Sequence, residues 1–243
     1  MKNKIKAITH LLVLFCIFGT TVAQQNNRPL KYKTRKSDGS EPQPPVLFLM
    51  HGYGGNKKQF DEAMKIIDDR FLIVSLNAPS GKFLRLTNWW YEFSISNGDT
   101  SSNQEQIDHS VDRILFTMND IKEKYNYDLG RVYIGGYSQG AIMAYKLALL
   151  YPETFSGVVI HSARLPVKYS PKSPSTLYEN MDILIIHGKN DGVLTTKWAN
   201  QGVNLFSRLG SDVDYFEGDF GHERTEESIL HMSRWLKERI DEK

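Results

Sequence analysis

The sequence predicts an α/β fold, a mostly parallel central sheet with helices on both faces. Three observations lead there. Val46 to Met50, Phe71 to Leu76, Gly157 to His161 and Ile183 to Ile186 are apolar runs of strand length. They lack the polar alternation of a half-exposed strand, so they belong in a sheet buried on both sides. Segments with apolar residues at three- and four-residue spacing separate them, which gives βαβ units and hence parallel pairing. The stretches rich in glycine, histidine and tryptophan fall just beyond the carboxyl ends of the strands, where such sheets bind ligands.

Taken in order, the 243 residues divide into a leader, residues 1–23, a polar lead-in segment, residues 24–45, and one domain, residues 46–243. Lys2, Lys4 and Lys6 precede a mostly apolar run from Ile8 to Phe18, and Thr21-Val22-Ala23 offers small residues for cleavage. This is the pattern of a secretory signal, too short and wrongly flanked for a membrane span. The expected location is therefore outside the cytoplasm, periplasmic or secreted. The single cysteine, Cys16, lies within the leader behind Phe15, where a lipoprotein signal would place a small residue. Without the leader the chain holds 27 basic and 28 acidic residues, a net charge of −1. Such a balance gives no reason to expect nucleic acid or anionic lipid as partners.

The lead-in segment carries Pro29, Pro42, Pro44 and Pro45, with an edge strand expected around Leu30 to Thr34. After the strand Val46 to Met50 comes His51-Gly52-Tyr53-Gly54-Gly55-Asn56, then a helix expected from Lys57 to Asp69. Ser80 to Gln104 shows no clear period but contains Trp89, Trp90, Tyr91 and Phe93. Loops this long in a compact domain are functional or disordered, and the aromatic content argues against disorder. Glu105 to Tyr125 reads as a helix with Ile107, Val111, Ile114, Met118 and Ile121 on one face. Leu165 to Asn180, with three prolines and three serines, is a second irregular stretch. Beyond it lie a helix from Lys197 to Leu209, a strand from Asp212 to Glu217, and a closing helix from Glu223 to Ile240.

The stretch Arg131 to Leu150 carries the most chemistry. A short apolar strand runs into Gly136-Tyr137-Ser138-Gln139-Gly140, and a helix follows with Ile142, Tyr145 and Leu149 at helical spacing. Strand, G-x-S-x-G and helix together form the pattern of a nucleophile elbow, in which flanking glycines leave room for a sharp turn. Ser138 then projects at the strand's end, with the first unpaired N–H groups of the helix behind it.

A serine hydroxyl attacks only when a base takes its proton, and the base needs an orienting group, usually a carboxylate. The histidines after Ser138 are His161, His187, His222 and His231. His222, in Gly218-Asp219-Phe220-Gly221-His222, follows the last strand and is the candidate base. His231 faces away from the apolar stripe of the closing helix and reads as solvated. Asp191, in the turn after a buried strand, is the candidate acid, with Asp219 as the alternative. Asn190-Asp191-Gly192 also favours a tight turn with or without chemistry. For the oxyanion the expected donors are the backbone N–H groups of Tyr53 and Gln139. Trp89, Trp90 and Tyr91 are candidate substrate-binding residues; the alternative is that they pack the loop onto the sheet.

On these residues the chain resembles the phospholipase/carboxylesterase family of the α/β-hydrolase superfamily, which includes acyl-protein thioesterases and many small bacterial esterases. The matching pieces are His51-Gly52-Tyr53-Gly54, Asn77-Ala78-Pro79, Trp89-Trp90-Tyr91, the Ser138 pentapeptide, His187-Gly188 through Asp191, and Gly221-His222. The resemblance implies an α/β-hydrolase fold with little or no lid, a Ser138, Asp191, His222 triad, no metal and no cofactor. Ala141 departs from the family by standing where many members place another glycine. Ser80 to Gln104 is more polar than usual, which argues against a lipid-like substrate.

The expected activity is hydrolysis of carboxylic esters by an exported serine esterase, on short-acyl, small-molecule or polysaccharide-linked substrates. A lysophospholipase, thioesterase or peptidase on the same scaffold is the alternative, and a non-catalytic binding module is the remote one. The sequence leaves acyl-chain length, the alcohol side and oligomeric state open.

Overall fold

Each of the apolar runs lies in one twisted sheet. The structure, a computed structural model, describes residues 28–82, 87–96, 99–171 and 175–242. The expected leader, with Cys16, and the cleavage residues lie outside the described residues. In chain order the elements are β1 (Tyr32–Arg35), β2 (Val46–Met50), α1 (Ala63–Ile66), β3 (Leu72–Leu76), β4 (Ser80–Lys82), β5 (Thr87–Trp89), β6 (Phe93–Ser96) and β7 (Asp99–Ser102). They continue with α2 (Gln104–Tyr125), β8 (Val132–Tyr137), α3 (Gln139–Leu150), β9 (Gly157–His161), β10 (Asp182–Gly188), α4 (Thr196–Leu209), β11 (Val213–Gly218) and α5 (Glu226–Asp241).

The main sheet has the order β1-β3-β2-β8-β9-β10-β11. All its pairs are parallel except β1 with β3. This is the α/β-hydrolase arrangement. The chain steps outward from β2 to β3, then returns to lay β8 on the other side of β2. The carboxyl ends of β2 and β8 therefore flank the point where strand order reverses, the usual ligand crevice of an open α/β sheet. His51 to Gly54 and Ser138 leave the sheet there.

Alternation along each strand sorts the core into two layers. Val46, Phe48 and Met50 of β2 pack with α2, α3 and α4, whereas Leu47 and Leu49 pack with α1 and α5. Helix α2 starts where the Asn103 side chain accepts from the Gln106 N–H at 3.1 Å and stops at Asn126, whose φ of 47° is left-handed. Helix α5 starts on Thr225, whose Oγ1 accepts from the Ser228 N–H at 3.2 Å.

Two segments differ from the sequence reading. Of the helix expected over Lys57 to Asp69, only Ala63–Ile66 is α-helical. Side chains hold the residues before it instead. Asn77 Oδ1 accepts the Lys57 N–H at 2.9 Å, Asn56 Oδ1 accepts the Lys58 N–H at 2.9 Å, and Gln59 Oε1 reaches back to the Gly52 N–H at 2.7 Å. After α1 the Arg35 guanidinium takes up carbonyls of Met64, Ile67, Asp68 and Phe71, which ends the helix early. The second difference is the stretch Ser80 to Gln104. It contains two small hairpins, β4 with β5 and β6 with β7.

Candidate active site

The site begins with the backbone of Ser138. Its φ of 52° and ψ of −118° lie outside the regions an L-residue prefers, and the turn is held by its N–H donating to the His161 carbonyl at 2.9 Å. Only glycine fits on either side. A Cβ on Gly136 would meet the Gly140 backbone at 2.4 Å, and a Cβ on Gly140 would meet the Met50 carbonyl oxygen at 2.1 Å. The elbow is thus wedged directly against the end of β2.

His222 arrives on the loop between β11 and α5. Its Nε2 lies 3.0 Å from Ser138 Oγ and its Nδ1 lies 2.7 Å from Asp191 Oδ2. With Nδ1–H donating to the carboxylate, Nε2 is left to accept the serine proton. Asp191 is 5% exposed and fixed by its other oxygen, since Oδ1 accepts the N–H groups of Val193 at 2.8 Å and Leu194 at 2.7 Å. Turn formation and histidine orientation are divided between the two oxygens. The alternative acid, Asp219, stands away from this relay and accepts from Asn190 Nδ2 at 2.7 Å.

Tyr53, in the loop after β2, and Gln139, the first residue of α3, each carrying a backbone N–H, both line the crevice beside Ser138. Among the described residues neither N–H has an acceptor. His51, buried beneath, fixes this loop: Nδ1 donates to the Gly52 carbonyl at 2.7 Å and Nε2 accepts the Ala78 N–H at 3.0 Å. Trp90 donates its Nε1–H to the His51 carbonyl at 2.8 Å. The Gln139 side chain accepts the Trp90 N–H at 2.9 Å and donates to the Tyr91 carbonyl at 2.7 Å. The aromatic trio therefore splits. Trp90 is fully buried as a tie between both halves of the crevice, and Trp89 stacks on the Tyr53 ring with centroids 6.0 Å apart. Tyr91 lines the cleft beside Ser138.

That cleft has a volume of about 120 Å³. Its walls include Tyr53, Tyr91, Phe93, Ile95, Ile142 and Val193, with Gln139 and Arg164 as polar members. Phe93, Ile95 and Val193 are exposed at the rim. The β6–β7 hairpin supplies one wall. Among the described residues no cluster of His, Cys, Asp and Glu could hold a metal ion, and no helix is long and apolar enough to cross a membrane.

Several supporting residues carry no motif of their own in the sequence. Tyr137, the variable position before the serine, donates its hydroxyl to the His222 carbonyl at 2.6 Å, and burial pushes that phenol up to about 12. His161 is buried under the elbow, with Nδ1 3.0 Å from Ser162 Oγ and Nε2 3.0 Å from Ser228 Oγ. His231 is not simply solvated: its ring stacks on Phe216 at 4.2 Å, and that burial lowers its pKa. A helix's polar face gave no hint of this, because the partner comes from β11.

Burial lowers His161 to about 3 and His51 to about 4, so both are neutral in the folded protein. In the unfolded chain a histidine titrates near 6.5, so the unfolded state takes up these protons first. Their contribution is fully present above pH 6.5 and is lost as pH falls toward each folded value. Each should steepen the loss by about 1.4 kcal/mol per pH unit in that window. Urea unfolding midpoints at pH 7.5, 6 and 5 should therefore fall. The His161→Gln variant should show a shallower decline, by about one proton's worth.

The sequence model of the phospholipase/carboxylesterase family matches residues 35–240. The putative hydrolase MhqD of Bacillus subtilis (strain 168) is 25% identical over 201 residues, covering 80% of this chain and 94% of that protein. Acyl-protein thioesterase 1 of Candida albicans is 23% identical over 224 residues, covering 84% of this chain and 96% of the other. Among solved structures, the Bacillus cereus carboxylesterase superposes with a TM-score of 0.74 at 19% identity, over 90% of this chain and 98% of that one. At that identity the likeness is one of fold.

Proposed function

The chain belongs to the phospholipase/carboxylesterase family of hydrolases, and from that premise we propose that it is an exported serine esterase acting on short-acyl or carbohydrate-linked carboxylic esters through an acyl-enzyme on Ser138. The observation that carries this reading is the relay Ser138 Oγ, His222 Nε2, His222 Nδ1, Asp191 Oδ2, at 3.0 and 2.7 Å. Ser138 Oγ attacks the ester carbonyl while its proton passes to His222 Nε2. The resulting oxyanion meets the N–H groups of Tyr53 and Gln139. His222 returns the proton to the departing alkoxide, and a water then repeats the sequence on the acyl-serine. Export rests on the leader, Lys2 through Ala23, and makes extracellular esters the available substrates. The small cleft favours a short acyl group.

The test is a p-nitrophenyl ester series from acetyl to long acyl with the chain beginning at Gln24, together with intact-protein mass after a serine-directed phosphonate. The expected results are one covalent adduct and turnover that peaks at short chains. Turnover that rises with chain length would favour lysophospholipids. Absence of both adduct and turnover would remove the esterase reading.

A further inference from the structure

Arg164 has no part in the relay, yet it lines the same cleft as Ser138. It lies just after β9, two residues past Ser162, whose φ of 50° is left-handed. The residue is 7% exposed. Its Nε and Nη2 are nevertheless not sealed from solvent, so the guanidinium is open to a ligand in the cleft. Arg164 gives Nη1–H to the Leu165 carbonyl at 2.9 Å, and among the described residues no carboxylate lies within ion-pair distance of it.

Other arginines of the chain are accommodated differently. Arg35, Arg70, Arg131 and Arg239 each meet an acidic side chain. Arg224, also without a carboxylate, lies over the rings of Phe60 and Tyr137 at 5.1 and 5.5 Å and donates to the Gln59 carbonyl. Those rings and that carbonyl account for it. Among the described residues nothing equivalent is present for Arg164. None of the described residues that line the cleft is acidic. Tyr91 does not supply the missing charge, because burial pushes its phenol up to about 12 and keeps it neutral.

We propose that Arg164 determines the substrate class: the site takes an ester that carries a carboxylate, and the guanidinium fork of Arg164 receives it. This rests on the esterase reading above. The planar fork matches a carboxylate in two parallel hydrogen bonds. A phosphate monoester, with close to two charges, would leave one uncompensated in a cleft whose other walls are mostly apolar. The apolar rim of Phe93, Ile95 and Val193 then holds the body of the substrate while Arg164 holds its acid group. The substrate is an amphipathic half-acid ester, apolar apart from one carboxylate.

The experiment compares kcat/KM for matched pairs. For an acid on the acyl side, p-nitrophenyl hydrogen glutarate is set against p-nitrophenyl valerate. For an acid on the alcohol side, 4-acetoxybenzoate is set against phenyl acetate, with 4-acetoxyphenyl phosphate as the phosphate arm. Wild type should favour the carboxylate member of at least one pair, and Arg164→Gln should reduce that preference roughly 10- to 100-fold, chiefly through KM. Arg164→Lys, which keeps the charge but not the fork, should fall between. A preference unchanged in Arg164→Gln, a wild type with no preference for either acid, or preference for the phosphate would overturn the proposal.

Should Arg164→Gln fail to fold, the wild-type ratios and the lysine variant still decide. A second measurement does not need turnover: binding of 4-acetoxybenzoate to the Ser138→Ala protein, followed by tryptophan fluorescence. Addition of Arg164→Gln should weaken it by a similar factor when the acid belongs on the alcohol side, and equal binding together with an unchanged acyl-side preference would count against the proposal. Neutral esters hydrolysed without any Arg164-dependent selectivity would defeat this inference alone. Failure to hydrolyse any ester would defeat the esterase reading, while the binding result would still judge Arg164.

Discussion

The Ser138→Ala protein should lose roughly 10⁴- to 10⁶-fold in kcat on a short aryl ester, the range seen when the nucleophile of a serine relay is removed. The loss follows from the geometry. In the proposed mechanism Ser138 Oγ is the reacting atom, and its hydrogen bond in the site is the one to His222 Nε2 at 3.0 Å. Alanine at this position inherits the same unfavourable φ of 52°, so the elbow's strain is neither added nor relieved. The partner left behind, His222, has a side chain 17% exposed and keeps its bond to Asp191, so the folded state should change by no more than about 1 kcal/mol. The measurement pairs initial rates with thermal unfolding and with phosphonate labelling. Lost rate, lost adduct and a melting point within a few degrees of wild type are expected. Turnover that persists would show that another group attacks.

The parts legible in the sequence are those written in local patterns. The buried parallel strands could be read because each is a continuous apolar run, and β9 (Gly157–His161) was delimited to the residue. The elbow could be read because two glycines, a strand and a helix surround Ser138. What stayed hidden depends on partners far along the chain. The helix over Lys57 to Asp69 has adequate helical spacing, but the Arg35 guanidinium, from an edge strand, captures its carbonyls. The hairpin β6 is only Phe93–Ser96, and its alternation of Phe93 and Ile95 with two serines is too short to count as a period. Those two apolar residues line the cleft. A polar-looking segment therefore presents an apolar wall. Arg164 was equally silent, since a single arginine after a strand means nothing until its surroundings are known.

The Asp191→Asn protein should lose about 10⁴-fold in kcat while keeping its stability, because the two oxygens of Asp191 do different work. Oδ1 accepts the Val193 and Leu194 N–H groups, and an asparagine carbonyl can take its place in that turn. The amide NH₂ then faces His222 Nδ1. Two donors cannot share one hydrogen bond, so the imidazole must carry its proton on Nε2. In that tautomer Nε2 offers a proton to Ser138 Oγ instead of accepting one, and the base is lost. Asp191→Ala removes both functions. It should show the same loss of rate, and it should also cost about 1 kcal/mol because two part-buried N–H groups lose their acceptor. Asp219→Asn, at an exposed carboxylate that bonds Asn190, should leave kcat within about twofold of wild type, as surface changes away from a site generally do. Rates and urea midpoints for the three variants separate the roles. An active Asp191→Asn enzyme, or an Asp219→Asn enzyme that loses its rate, would move the acid to the other aspartate. Equal destabilisation by Asn and Ala at Asp191 would mean that its carboxylate charge, not its place in the turn, holds the loop together.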